Sequence, residues 1–318
     1  VLKEARIHLR KGTDVRFIDP AFGTGSFCSA FLRVFSENTI NVIKGYEIDP
    51  HYGVPASELW SDYPVDLHVS DFTLAIPPTT EENKFDLIIC NPPYVRHHHI
   101  SNGNKTRLRS ISEESGGFRI SGLAGLYCYF ISLSFGWMKK NRIAGWLIPS
   151  EFMDVNYGKS LKEYLINKVT LIRIHRFEPN NVQFQDAMVS SAVVWFKKTE
   201  PSSNHSVEFT LGGTLANPKL TSRIPASVLR DESKWTRFPV SSTTRIVKEH
   251  RLGDFFSIKR GIATGDNHFF IMTRDQLISW GLSTEYFKPI LPSPRHLINN
   301  EIRSDERGYP IIEPQLFS

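Results

Sequence analysis

Arg16-Phe17-Ile18-Asp19-Pro20-Ala21-Phe22-Gly23-Thr24-Gly25-Ser26 is the stretch that decides the fold. A short apolar strand opens into a turn carrying a proline and two glycines, and a helix is predicted over 26–35. Glycines in such a turn permit positive φ and close backbone approach of a ligand. Outward from it, strands are predicted over 40–48, 65–69 and 85–90. A helix over 50–60 has Asp49 as its cap and Pro50 in its first turn. Beyond a long polar stretch come a helix over 123–140, a strand over 144–148 and a helix over 160–167. Strands over 170–177 and 191–196 complete the series. This alternation predicts an α/β fold with a doubly wound, mostly parallel sheet, whose ligands sit at the carboxyl ends of the strands.

The chain of 318 residues is 40% hydrophobic and 22% charged, the composition of an ordinary globular protein. Its net charge of +5 suits a polyanionic partner. Cys28, Cys90 and Cys128 have no metal-ligand spacing and read as reduced core residues of a cytoplasmic protein. No signal peptide is evident, and the longest apolar run, 123–138, is shorter than the roughly 20 residues that cross a bilayer, so no membrane partner is expected. Residues 197–204 read as the exit from a first domain, which gives a catalytic-type domain over 1–200 and a linker region over 201–250. A second, partly complete domain of mixed or mainly β character is then expected over 251–318.

Three short motifs fall at predicted strand ends. Asp19-Pro20-Ala21-Phe22-Gly23-Thr24-Gly25 is neither a Walker loop nor a complete dinucleotide fingerprint, because Cys28 stands where the third glycine belongs. Glu47 ends the next strand, where a carboxylate is placed to bind both hydroxyls of a ribose. Asp71-Phe72 ends the one after, offering an acceptor for an adenine amino group and a face for its ring. Together they describe a pocket for an adenosine without a phosphate clamp, and S-adenosylmethionine fits that description. The fourth strand, Phe85-Asp86-Leu87-Ile88-Ile89-Cys90, stops at Asn91-Pro92-Pro93-Tyr94. Proline has no N–H and pushes its predecessor into extended geometry. The turn therefore offers the Asn91 amide oxygen and free carbonyls to an –NH2 group, with Tyr94 as a flat face for a planar base.

With these pieces the chain resembles the DNA adenine-N6 methyltransferases in which the cofactor motif precedes Asn-Pro-Pro-Tyr, the gamma-type, Eco57I-like restriction-modification methylases. The likeness runs over 16–196, through Leu126-Tyr127, Trp146-Leu147-Ile148-Pro149 and Ser191-Ala192-Val193-Val194, and resumes over 252–271. It implies a seven-stranded class I S-adenosylmethionine-dependent methyltransferase sheet. It implies cofactor contacts from Asp19, Pro20, Ala21, Phe22, Gly23, Gly25, Phe27, Glu47, Ile48, Asp71 and Phe72. Catalysis would fall to Asn91, Pro92, Pro93 and Tyr94. Phe184 would pack on the flipped base, and the segment from Leu252 would open the target-recognition domain. Double-stranded DNA is the implied partner, with a cognate restriction endonuclease as a second. Family members also carry an upstream aromatic-Thr-Pro signature, which the 18 residues before Asp19 lack. Weak or no cofactor binding without that segment, and an incomplete recognition domain, are expected.

His97-His98-His99 is not expected to hold a metal, since adjacent residues converge poorly on one ion and no further ligand follows at useful spacing. The basic stretch from Arg96 to Arg119 is expected to be a mobile flap over the substrate strand, and Arg96, Lys259, Arg260 and Gly261 to touch phosphates. Two other readings stay open. Asn-Pro-Pro-Tyr also serves enzymes that methylate a protein glutamine or a guanine amino group in ribosomal RNA, and a non-catalytic nucleic-acid-binding module could retain the fold.

Overall fold

The computed structural model describes residues 1–9, 14–117, 119–178, 190–240, 252–257, 265–291, 301–312 and 315–317. The chain divides into two compact units, Val1–Arg245 and Ile246–Ser318.

In chain order the first unit runs α1 (Leu2–His8), β1 (Val15–Asp19), α2 (Ser26–Val34), β2 (Ile40–Glu47), α3 (Pro50–Leu59), β3 (Val65–Val69) and β4 (Phe85–Cys90). It continues with α4 (Asn102–Gly116), α5 (Leu126–Ser134), β5 (Met138–Pro149), α6 (Gly158–Asn167), β6 (Thr170–Arg176) and β7 (Ser191–Lys197). β8 (Ser206–Gly213), β9 (Pro218–Pro225) and α7 (Ala226–Asp231) follow. One sheet holds all nine strands in the order β3-β2-β1-β4-β5-β7-β6-β8-β9. Strands β3, β2, β1, β4 and β5 pair in parallel, and β7 inserts antiparallel between β5 and β6. The central β4 is buried at all six positions, as expected of a strand covered on both faces. One apolar cluster joins α1, α2 and α3 to one face of the sheet; a second joins α4, α5, α6 and α7 to the other.

Three expectations need correction. Residues 206–225, within the span 201–250 read as a linker, extend the sheet: β8 runs parallel to β6 and β9 folds back antiparallel on β8. Val207 and Phe209 are buried there, and the Phe209 ring meets those of Trp235 and Phe238 at 6.1 and 5.4 Å. Among the described residues the sheet thus has nine strands rather than seven. The basic flap is mostly the helix α4, closed by Ser101 at one end and by Gly117 in the left-handed region (φ +65°) at the other. The helix expected over 123–140 ends at Ser134, and β5 begins at Met138. Lys198 Nζ donates to the carbonyls of Phe135 and Met138 at that junction, and Lys139 and Arg142 pair with the buried Asp86 at 3.1 and 2.8 Å. An unbroken apolar run conceals such a switch, because periodicity does not separate a buried helix from a buried strand.

The far edge of the sheet is tied by charge and by one neutral ring. Arg173 pairs with Glu4 of α1 at 2.8 Å and with Glu208 of β8 at 3.0 Å. His175 on β6 is fully buried, its Nδ1 lies 2.9 Å from Thr210 Oγ1, and the Phe177 ring stands edge-on to it. Burial, and then the Arg173 charge, lower its pKa to about 4. A depressed histidine stabilises the fold above the unfolded-state pKa near 6.5, and that stability is lost as pH falls toward 4. Urea unfolding of the wild type is expected to lose stability across this window with a slope that includes up to about 1.4 kcal/mol per pH unit from this residue. His175→Gln should remove that component; an equal slope in the variant would refute the assignment.

The second unit is small. α8 (Leu252–Phe255), α9 (Asn267–Phe270), α10 (Arg274–Ser279) and the strands β10 (Met272–Thr273), β11 (Pro289–Ile290) and β12 (Leu316–Phe317) compose it. The strands form an antiparallel sheet in the order β10-β12-β11 over a core of Met272, Leu277 and Phe317. A capping box between Thr273 and Gln276 starts α10.

Candidate active site

The carboxyl ends of β1, β2, β3 and β4 meet at one cavity of about 970 Å³. The glycine turn after β1 supplies Asp19, Pro20, Ala21, Phe22, Gly23 and, from α2, Phe27; the end of β2 supplies Glu47 and Ile48; the end of β3 supplies Asp71 and Phe72. The turn is stitched to β2: Phe22 N donates to Tyr46 O at 2.8 Å and Gly23 N to Glu47 Oε2 at 2.9 Å. Glu47 Oε1 accepts from Asp49 N at 2.8 Å. Two backbone donors hold this carboxylate in place, and a carboxylate has roughly four acceptor sites, so capacity remains for a diol. Asp71 Oδ1 accepts from Thr73 N at 2.8 Å, which starts a short 3-10 turn over Phe72–Leu74.

Asp19 is 1% exposed, and burial holds its carboxyl well above the ordinary carboxylate range. It accepts from Ala21 N at 3.1 Å and from the Cys90 thiol, so it braces the turn from behind. Gly25, expected to face a cofactor, does not line the cavity. It sits at φ +92°, and a Cβ there would lie 2.3 Å from Trp60 Nε1, whose N–H donates to Thr24 O at 3.0 Å. The glycine therefore lets α2 start close against the end of α3.

Gly45 on β2 was missed by sequence reading. A Cβ at this position would lie 2.4 Å from Phe22 Cδ2 and 3.0 Å from Leu67 Cδ1, so the absent side chain is the seat of the Phe22 ring. Gly45→Val is expected to push Phe22 into the cavity and weaken adenosyl-ligand binding by about tenfold or more, given the roughly 1–3 kcal/mol cost of overpacking. Calorimetry with S-adenosylhomocysteine checks this; wild-type affinity in a folded variant would refute it.

At the end of β4, Asn91 and Pro93 line the cavity while Pro92 is buried. Asn91 Oδ1 is buried and accepts no hydrogen bond from the described residues. Native proteins seldom leave such an acceptor unused, and a bound water or a ligand can satisfy it. Tyr94 is half-buried and its hydroxyl donates to Leu147 O of β5 at 3.1 Å, which fixes the ring beside the cavity rather than within its lining. Leu126 N donates to Val95 O at 2.9 Å, so α5 is tied to the same turn. Leu126, Phe130 and Leu147 close this end.

The roof comes from α4, through Asn104, Arg107 and Leu108. A cover from this segment was expected, but its helical form was not, although Ser101 and Gly117 bracket a segment of helical length and were legible as caps. Arg96 is exposed at the start of the turn formed by His97–His99. Among the described residues no group of three or more His, Cys, Asp or Glu side chains could hold a metal ion. No described helix is long and apolar enough to cross a membrane. Phe184, Lys259, Arg260 and Gly261 lie outside the described residues.

The donor set fits S-adenosylmethionine. A carboxylate with spare acceptor capacity stands at the end of β2, a second carboxylate at the end of β3, and Phe22, Ile48 and Phe72 provide apolar walls. Among the described lining residues Arg107 is the one guanidinium, and it is engaged with Thr73, so it is not free to act as a phosphate clamp.

The Eco57I restriction-modification methylase family profile matches residues 37–183. The chain is 28% identical over 296 residues to the type II methyltransferase M.AccI of Acinetobacter calcoaceticus, covering 87% of this chain and 52% of that protein. It is 28% identical over 269 residues to the type II methyltransferase M.XamI of Xanthomonas campestris pv. amaranthicola, covering 82% and 49%. It thus spans about half the length of the curated relatives it matches. Among solved structures, the type IIG restriction endonuclease BpuSI superposes with a TM-score of 0.60 at 15% identity, over 99% of this chain and 41% of that one. Over residues 37–183 the chain is similar to the Eco57I restriction-modification methylase family, and it shares the fold of a solved class I S-adenosylmethionine-dependent methyltransferase.

Proposed function

We propose that this chain is the catalytic part of a site-specific DNA methyltransferase that moves a methyl group from S-adenosylmethionine to the N6 amine of an adenine, as the modification arm of a restriction-modification system. The observation that carries this reading is the buried Asn91 Oδ1, without a hydrogen-bond partner among the described residues, at the edge of a cavity whose other end holds Glu47 and Asp71.

Bound S-adenosylmethionine supplies a methyl group on a positively charged sulfur. Glu47 accepts from the ribose hydroxyls, Asp71 accepts from the amino group of the cofactor's adenine, and Phe22, Ile48 and Phe72 enclose that ring. The lone pair of the target N6 is delocalised into its own ring, so the amine is a poor nucleophile. Asn91 Oδ1 and the Pro92 carbonyl each accept one of its N–H bonds. Two fixed acceptors favour a pyramidal nitrogen, stabilise the positive charge that develops on it and aim its lone pair along the line of transfer. Tyr94 flanks the base, which has to leave the duplex to reach this corner, and the family resemblance assigns Phe184 as a second stacking partner. Arg96 and the Lys259-Arg260-Gly261 segment contact phosphates. A DNA target is favoured over a protein or ribosomal RNA target by the type II methyltransferases to which the chain is similar.

The test presents tritiated S-adenosylmethionine with duplex DNA, ribosomal RNA and protein substrates, and identifies the labelled product by mass spectrometry. N6-methyladenine in duplex DNA is expected. Label in RNA guanine or protein glutamine instead would overturn the reading.

A further inference from the structure

We propose that Arg107 is a positioning residue that latches α4 over the adenosyl end of the cavity by gripping Thr73, so that bound cofactor leaves only when this latch opens. The proposal rests on the reading of the cavity as an S-adenosylmethionine site.

Three observations meet at one guanidinium. Arg107 Nη1 donates to Thr73 O at 2.8 Å and Nη2 to Thr73 Oγ1 at 2.9 Å, across 34 positions of sequence. A planar fork serves two acceptors on one residue, which a lysine ammonium does less well. Thr73 is 6% exposed, and its own N–H is held by Asp71, the carboxylate at the end of β3. The grip is therefore relayed to the group assigned to the cofactor's adenine. The first turn of α4 (Asn102, Gly103, Asn104) is exposed, and Arg107, with the buried Leu108 beside it, ties this half of the helix down. The second half has a separate attachment, where Ser132 Oγ of α5 donates to Ser112 O at 3.3 Å. Losing Arg107 thus frees the part of α4 over the cavity without unmooring the rest.

The latch makes a kinetic claim that a purely structural role does not. Stopped-flow release of S-adenosylhomocysteine is measured for the wild type, Arg107→Met, Arg107→Lys, Thr73→Val and the Arg107→Met/Thr73→Val double variant. Melting of the ligand-free proteins reports folding. Arg107→Met is expected to release ligand about tenfold faster, the effect of losing a charge-assisted hydrogen-bond pair, with Arg107→Lys intermediate. Thr73→Val should have a smaller effect, and the double variant should be no faster than Arg107→Met, because both remove one interaction. Hydrogen exchange of the ligand-free chain should show faster exchange over 102–110 in Arg107→Met. Wild-type release rates, additive effects in the double variant, or unchanged exchange would each overturn the latch. Failure of the full-length protein to bind any S-adenosyl ligand would instead overturn the functional reading, while the exchange comparison still decides the latch. Should Arg107→Met fail to fold, Thr73→Val carries both measurements.

Discussion

Asn91→Ala is expected to lower methyl transfer by at least about 10²–10³-fold while leaving S-adenosylmethionine affinity within a few-fold of wild type. The side-chain oxygen is buried and has no hydrogen-bond partner among the described residues, so it is open to an incoming amine. Removing it deletes an acceptor that acts on charge appearing only as the nitrogen is alkylated. The loss should therefore appear in kcat rather than in cofactor binding. Asn91→Asp keeps an acceptor but places a full charge in a buried corner, and should recover only part of the rate. Tyr94→Phe should cost less than Asn91→Ala, since the Tyr94 hydroxyl is spent on Leu147 O and the ring that flanks the base is retained. Single-turnover rates with tritiated cofactor measure all three. Near-wild-type turnover in Asn91→Ala would remove the basis of the mechanism.

Glu47→Gln is expected to weaken S-adenosylmethionine binding by about 10²–10³-fold, on the basis of roughly 1.5–3 kcal/mol for each hydrogen bond to a charged group. The substitution preserves volume and changes only polarity. Glu47 accepts from Gly23 N and Asp49 N with different oxygens, at 2.9 and 2.8 Å. A glutamine would have to turn its NH2 toward one of those donors. The variant consequently loses acceptors for the ribose and disturbs the glycine turn at once. Calorimetry should show lost affinity together with a folded protein by circular dichroism. Wild-type affinity would mean that the adenosyl group lies elsewhere.

The parts of the fold that were legible in sequence are those with punctuation. β4 is a run of six buried residues ended by two prolines, and α3 begins with Asp49 as cap and Pro50 behind it. Where punctuation was masked, the reading failed. The glycines and serines of 101–117 looked like loop composition, yet Ser101 and Gly117 are the caps of α4 and the residues between them roof the cavity. Residues 123–140 looked like one helix, because nothing apolar in that run announces that Lys198 will cap its carbonyls. β8 and β9 were passed over because β9 is mostly exposed and β8 only half buried, and an edge hairpin is specified by packing against distant rings such as Trp235. In the cavity, the acidic strand ends stood out by charge. Gly45 did not, because its contribution is the room it leaves for Phe22.

The measurement closest to the central claim is a map of modified bases in genomic DNA from a host carrying either this gene or its Asn91→Ala allele. N6-methyladenine at one short recurring sequence with the wild-type gene, and none with the mutant allele, is the result expected if Asn91 holds the target amine. The same modified adenines with both alleles, or a wild-type gene that modifies no adenine, would contradict it.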